Sequence, residues 1–531
     1  MAKLRLDRRT ILNGAGALGA TAALARVLHD SAAAAGDAPA TSAKAPQQPA
    51  PAADAGAAFD GDAVRKMAER LAQREFQRPK LELPEPYNNL SYDQYRDIRF
   101  KPDQAIWRGD KVDYELQLLA AGFLYDVPVE ISVVENGKAR LLKADDHLFT
   151  IGPLINKPQP GAPFGFSGFR IHAPINRSDY YDELAVFQGA SYFRAVARGQ
   201  VYGMSARGLA INTARTGGEE FPFFRAFWIE RPKPGAHEIV VHALLDSPST
   251  TGAYRFVIQP GQSTIIDVDL VLFPRKVLSH VGIGCLTSMF LYGSASRRIH
   301  GDFRPAVHDS EGLAIINGSG ERIWRPLTNP RKLQASAFVD KDPKGFGLSQ
   351  RNRAFAGFED LEARYEKRPT VWVEPKGAWG QGFVELIEIP AEEEIHDNVV
   401  AYWKPEKGLE PGAAHAFSYR MYWTDAVPVS PPAARVRQTF VGSGKKPGTL
   451  LFVIDFDGAA FKEVRELPVA HVNVSAGAVA NIVAQQNAEV SGLRVSFEVA
   501  PGGADLIELR LALKAAEQQI SETWLYRWTR T

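Results

Sequence analysis

The sequence has little cysteine, almost no net charge and no long apolar run in its body. One residue of 531 is cysteine, Cys285, so intrachain disulfides, iron–sulfur ligation and CxxC chemistry are excluded. Lys+Arg number 62 against 61 Asp+Glu, a net charge of +1, which leaves no strongly basic face for nucleic acid. What is there is globular in texture: 45% hydrophobic, 23% charged and 10% aromatic residues. The length allows roughly two to four domains with a large core.

The N-terminus reads as an address. Arg8-Arg9 stand ahead of an uncharged stretch from Ile11 to Ala25, and small residues follow at Ser31–Gly36. This is the pattern of a twin-arginine export signal over residues 1–35, too short and Gly/Ala-rich to span a bilayer stably. Those residues hold five Lys/Arg and two Asp, so without them the net charge falls from +1 to −2. The expectation is a periplasmic protein. Gly14-Ala-Gly16-Ala-Leu-Gly19 matches a dinucleotide fingerprint, but no strand precedes it and cleavage would discard it. Residues 36–58 are Ala/Pro-rich with few large apolar side chains, the composition of a flexible linker.

The mature chain opens with one helix and then turns to strands. Val64, Met67, Ala68, Leu71 and Ala72 repeat at helical spacing behind Asp60. Glu135-Asn-Gly-Lys138 between apolar runs is a two-residue hairpin signal. Ala253–Ile258 and Ile265–Leu272 flank Pro260-Gly261, and the second run alternates strictly from Ile266. Asn317-Gly-Ser-Gly320 reads as another hairpin tip. The fold class expected is all-β, a large antiparallel β-sandwich over residues 59–424. A Pro-rich linker at 425–435 follows, then strands about ten residues apart over 436–531, an immunoglobulin-like texture.

Local motifs exclude more chemistry than they reveal. His237-Glu-Ile-Val-Val-His242 places its second histidine one residue too late for a zinc helix and lies in a strand pattern. Gly203-Met-Ser-Ala-Arg207 is not a nucleophile elbow. No metal or cofactor is expected. Trp372, Trp379, Tyr402, Trp403, Tyr422 and Trp423 fall close together; they fit a sandwich core or the stacking faces of a sugar cleft. Spacing alone does not choose an acid–base pair among 61 carboxylates.

Several uncommon motifs occur in one order: Gly189–Ala195 (GASYFRA), Ser205–Ile211 (SARGLAI), Arg304–Ser310 (RPAVHDS), Lys344–Leu348, Arg368–Pro375 (RPTVWVEP), Asp397–Trp403 (DNVVAYW) and Ser521–Tyr526. From about Tyr87 to Trp528 the chain resembles the OpgG/OpgD family of osmoregulated periplasmic glucan biosynthesis. The twin-arginine signal makes it most similar to the D-type branch. The resemblance implies a β-sandwich domain with a cleft, followed by an Ig-like domain, and inverting endo-cleavage of β-1,2-glucan that controls the glucose backbone. By motif match it implies Asp397 as general acid with Glu394 beside it. Asp309 would be the base, reaching water through a relay that includes Tyr365. Trp372, Trp379, Asn398, Tyr402, Trp403 and Arg207 become substrate-binding candidates.

An acid must be protonated at working pH, and Glu394 is placed to supply the like charge that Asp397 needs. His308 or Arg304 is the nearby group expected to keep Asp309 ionised. Inversion ordinarily sets the two carboxyls about 6.5–9.5 Å apart, and a relay permits more. Two other readings stay open: an inverting transglycosylase that cyclises or relinks the glucan, and a non-catalytic glucan-binding partner of the membrane synthesis machinery. The sequence assigns no oligomeric state.

Overall fold

A computed structural model describes residues 56–80, 82–156, 165–296, 301–429, 434–463 and 466–530. The expected signal peptide and nearly all of the expected linker after it lie outside the described residues, as do positions 430–433 of the Pro-rich linker. The chain forms two compact units. One comprises residues up to Val281 together with Lys407–Arg420; the other comprises Gly282–Glu406 and Met421–Thr531. No helix among the described residues is long and apolar enough to cross a membrane.

In the first unit the helix spans Gly61–Ala72, where the apolar spacing puts it. Asp60 occupies the cap position but makes no capping bond through its side chain, so packing rather than the cap fixes this helix. Val64 and Ala68 are buried against Trp228, Leu244, Ala253 and Phe273. Asn136 and Gly137 both take positive φ, 51° and 71°, the two-residue turn that matches the twist of its flanking strands. Those strands are Glu130–Glu135 and Lys138–Leu141.

Two sheets build this unit. One runs through Phe223–Glu230, Ile239–Asp246, Thr250–Gln259 and Thr264–Pro274, antiparallel throughout. Phe223–Glu230 also pairs in parallel with Glu130–Glu135, a departure from a purely antiparallel sheet. The other runs through Glu115–Ala120, Phe166–Arg177, Tyr180–Gln188, Tyr192–Ala195 and Ser205–Arg207. Aromatic rings join the sheets face to face: Phe169 meets Phe227 at 5.0 Å, and Phe193 meets Phe256 at 5.2 Å, both near-perpendicular. His242 sits on a strand and bonds Glu230 at 2.7 Å, as the strand reading of the mis-spaced zinc motif requires.

In the second unit Gly312–Ile316 lies between Arg322–Pro326 and Gly345–Ser349, followed by Thr370–Lys376. Asn317 closes the first hairpin, its Oδ1 accepting from the Ser319 hydroxyl and the Glu321 N–H. Val281–Ser288, Val399–Pro405, Gln381–Glu388 and Gln334–Lys341 form a further sheet. The C-terminal strands form a sandwich of their own. Arg435–Ser443, Leu450–Asp457, Gly492–Ala500 and Ala478–Asn487 make one sheet; Val469–Val474, Leu506–Ala515 and Thr523–Thr529 make part of another. Phe452, Phe456, Phe497, Leu509, Leu511 and Trp524 fill the space between. The last strand also pairs in parallel with Arg322–Pro326 through Ile323↔Thr523 and Trp324↔Trp524, so hydrogen bonding runs unbroken from the preceding strands into the C-terminal sandwich.

Close packing in this core leaves a direct test. A Cβ on Gly345 would stand 2.3 Å from the indole of the fully buried Trp372. Gly345→Ala is therefore expected to destabilise the chain by about 1–3 kcal/mol through overpacking, measured as a lowered thermal midpoint with a changed tryptophan near-ultraviolet CD signal.

Candidate active site

The candidate catalytic groups converge around one short strand of the second unit. Phe290–Tyr292 pairs with Val307–His308, and the next residue, Asp309, donates its backbone N–H to Met289 O at 2.8 Å. On the other side Asn398 grips the same stretch. Its N–H bonds Ser288 O at 3.0 Å, its Oδ1 accepts from Phe290 N at 2.8 Å, and its Nδ2 donates to Phe290 O and Ile389 O. Asp397, half-buried, immediately precedes this clamp. Two loops carrying Asp309 and Asp397 are thus stitched to one backbone segment.

Asp309 is 3% exposed and bonded to Arg368, itself 2% exposed. Arg368 follows the short turn Tyr365–Lys367, and its Nε donates to Ala363 O at 3.0 Å. Its guanidinium lies 4.2 Å from the centre of the Tyr365 ring. Tyr365, 2% exposed, donates its hydroxyl to Glu394 Oε2 at 3.1 Å. Gln350 binds the two segments together, donating to His308 O at 3.0 Å and Tyr365 O at 3.2 Å. The order of contacts is Asp309, Arg368, Tyr365, Glu394.

Arg304 anchors the far end. It bonds Glu394 at 2.7 Å, Asp360 at 2.8 Å and Asp302 through both carboxylate oxygens. Asp360 also accepts the backbone N–H groups of Glu362 and Ala363, fixing the turn before Tyr365. The Arg304 side chain holds Asp302 well below the usual carboxylate range. Burial raises Asp360, but the Ala363 N–H and Arg304 outweigh it and lower that carboxyl too.

Two electrostatic results define the chemistry. Burial pushes the Tyr365 phenol far above its ordinary value. Arg368 and Arg304 pull it down, but the charges of Glu394 and Asp309 push with burial. It stays protonated and can donate while it accepts. His308, by contrast, is stacked on Phe290 at 5.2 Å and meets the Phe358 edge at 5.1 Å. Burial lowers its pKa to about 3, so the ring is neutral and offers Asp309 no positive charge. Arg304 is committed to Asp302, Asp360 and Glu394. The cation beside Asp309 is Arg368, which corrects the expectation of His308 or Arg304.

Residues 59–528 match the family described as periplasmic glucan biosynthesis protein, MdoG. The chain belongs to this family. It is 50% identical over 474 residues to glucans biosynthesis protein G of Vibrio cholerae, covering 89% of this chain and 87% of the relative. With the protein of the same name from Rhodopseudomonas palustris the identity is 48% over 490 residues, 92% and 95% of the two chains. With that of Shewanella frigidimarina it is 50% over 476 residues, 89% and 85%.

In this MdoG-family chain the substrate-binding candidates divide. Trp372, Tyr402 and Trp403 are fully buried. Trp372 belongs to the apolar core, Tyr402 bonds buried Glu385 at 2.7 Å, and a Cβ on Gly382 would strike the Trp403 ring. Their faces are covered by protein, so the core reading of this aromatic cluster describes them. Trp379 retains 7% exposure and lies tilted, 6.3 Å from Trp403. Asn398 has its side-chain bonds committed to backbone and acts on position. Arg207 lies in the first unit, paired with Glu219. Asp302 and Arg368 were not among the sequence candidates, although Arg368 opens one of the motifs.

As for metal ligands, Asp145, Asp146 and His147 converge in the first unit, bonded to one another and near the surface.

Two stability predictions follow from these pairs. Arg368→Met leaves the Asp309 carboxylate buried without its cation, at an expected cost of about 3–5 kcal/mol; adding Asp309→Asn should restore part of it in denaturant unfolding. Asp302, depressed by Arg304, stabilises the fold fully above the ordinary carboxylate pKa near about 3.9 and loses that contribution as pH falls toward its folded value. Arg304→Gln should therefore show a shallower fall of thermal midpoint than the parent between about pH 5 and about pH 2.

Proposed function

We propose that this protein is an inverting endo-hydrolase of β-1,2-glucan that sets backbone length during periplasmic glucan biosynthesis. Asp397 is the general acid, giving its proton to the leaving glycosidic oxygen. A water attacks the anomeric carbon from the opposite face, and its proton passes to Asp309 by a relay that includes Tyr365. The single observation carrying the reading is a contact chain that sets Tyr365 between two carboxylates. Its hydroxyl bonds Glu394, and its ring lies on Arg368, the cation paired with Asp309, which positions the phenol and passes no proton itself. A phenol kept protonated by burial passes a proton by accepting one and releasing another, which a relay requires and a direct base does not. Glu394 is 40% exposed and opens that chain to water, which supports hydrolysis over transfer to a sugar hydroxyl.

The acid, base and relay fall inside the span proposed as the glucan-binding domain, residues 59–424, with an Ig-like domain at 436–531. Arg8-Arg9 support twin-arginine export and hence the D-type branch of the family. In the alternative, non-catalytic reading the Ig-like domain steers glucan toward membrane synthesis partners; neither reading calls for a cofactor.

Purified mature protein incubated with linear β-1,2-glucan should release new reducing ends of inverted anomeric form. General acid–base groups contribute about 10²–10⁴-fold, so Asp397→Asn and Asp309→Asn should each lose roughly that much, and Tyr365→Phe a comparable share. Shorter or cyclised products without new reducing ends, abolished by Asp397→Asn, make the protein a transglycosylase. An unchanged polymer at every enzyme level removes both activities and leaves glucan binding.

A further inference from the structure

The motif Gly189–Ala195 and Arg207 take no part in the acid–base cluster, whose members all belong to the second unit. In the first unit they shape a cavity of about 230 Å³ walled by Phe187, Tyr192, Phe221, Phe224 and Phe227, with Gln188 among them. Gly189 and Ala190 take consecutive positive φ angles of 74° and 44°. This tight turn brings the Tyr192 N–H back onto Gly189 O at 3.0 Å, and Ala190 O accepts from Phe224 N. Arg207 braces the wall. Its guanidinium lies 5.1 Å over the Tyr192 ring and 5.8 Å over Phe221, and Glu219, its partner, also accepts from Thr213 at 2.7 Å.

The polar group in this wall has an orientation fixed by proton counting. Tyr95 and Ser167 both donate their hydroxyl protons to Ala120 O, at 2.8 and 2.7 Å. Each hydroxyl has one proton, so toward Gln188 each can only accept. The amide nitrogen of Gln188 lies 2.9 Å from both, which uses its two donors and settles the amide's direction. Its Oε1 accepts no bond from the described residues, although Gln188 is only 6% exposed and lines the cavity. The oxygen is open to the cavity space, where a ligand O–H can take the place of water.

We infer that this cavity binds one pyranose ring of the glucan, with a hydroxyl donating to Gln188 Oε1 and the ring packed on the apolar lining beside half-buried Phe221. An apolar lining with a few fixed polar groups suits a ligand that is apolar on its faces and rimmed with hydroxyls. The size limits the occupant: an engineered cavity of about 150 Å³ takes a benzene ring, so this one takes a single sugar ring rather than a chain of them. The inference rests on the glucan reading for its substrate class.

Saturation-transfer NMR with glucose and with sophorose, the β-1,2-linked disaccharide, tests it on the mature chain. Leu124 lines the cavity and is 36% exposed, so Leu124→Trp can narrow the opening without entering the core. Gln188→Met removes the acceptor, and its thermal midpoint reports whether it still folds. Binding weakened at least about tenfold in Leu124→Trp, and again in folded Gln188→Met, is the expected result. Equal binding in the parent and Leu124→Trp overturns the site. Failure of either sugar to bind a parent that still cleaves linear β-1,2-glucan overturns the site and spares the hydrolase. Variant-sensitive binding without any cleavage does the reverse.

Discussion

The buried pair of Asp309 and Arg368 is the constraint on which the site is built. Both side chains are almost wholly removed from water, and neither charge is tolerable there alone. Arg368 is therefore held where it can meet Asp309, and its flat guanidinium becomes the surface on which the Tyr365 ring lies. That position determines where the phenol points, and it points at Glu394. Arg304 completes the arrangement by tying Glu394 to Asp360, whose backbone bonds fix the turn leading into Tyr365. Each charge in the series is placed by the one before it, so the geometry of the cluster is a consequence of charge compensation.

Much of the scaffold was legible because its signals are local. Asn136-Gly137 demands a two-residue turn with positive φ, and the helix from Gly61 follows from apolar spacing alone. The strands at 450–457, 492–500, 506–515 and 523–529 fall inside the span 436–531 whose texture is that of short strands. The aromatic cluster was less readable for a physical reason. Thr370–Lys376 and Val399–Pro405 are buried along most of their length on both faces, and a strand covered on both sides has no alternation to show which aromatic faces water. Asp309 and Arg368 stand 59 residues apart, whereas His308 and Arg304 are neighbours in sequence. Proximity along the chain therefore favoured the wrong cations, and only the fold brings the right one.

His308 shows why an ionisable residue next to a carboxylate is not by that fact its partner. Stacked on Phe290 and edged by Phe358, the ring would have to be charged inside an apolar shell, and burial holds its pKa to about 3. It serves as an aromatic side chain in the wall behind Asp309. Tyr365 experiences the same desolvation with the opposite chemical meaning, because for a phenol burial preserves the proton. One apolar pocket thus keeps the imidazole neutral and the phenol protonated.

Hydrogen-bond accounting separates residues that hold the structure from those that face a ligand. Asn398 has its carbonyl and amide groups engaged by Phe290 and Ile389, so its side chain is committed to joining the Asp397 loop to the strand beside Asp309. Gln188 begins from a similar amide, but its two donors are taken by hydroxyls that have no proton to return. Its carbonyl oxygen is left over by stoichiometry, not by looseness of packing. The same amide chemistry therefore gives a structural clamp in one unit and an open acceptor in the other. What decides between them is whether the neighbours are backbone groups of both polarities or hydroxyls already spent as donors.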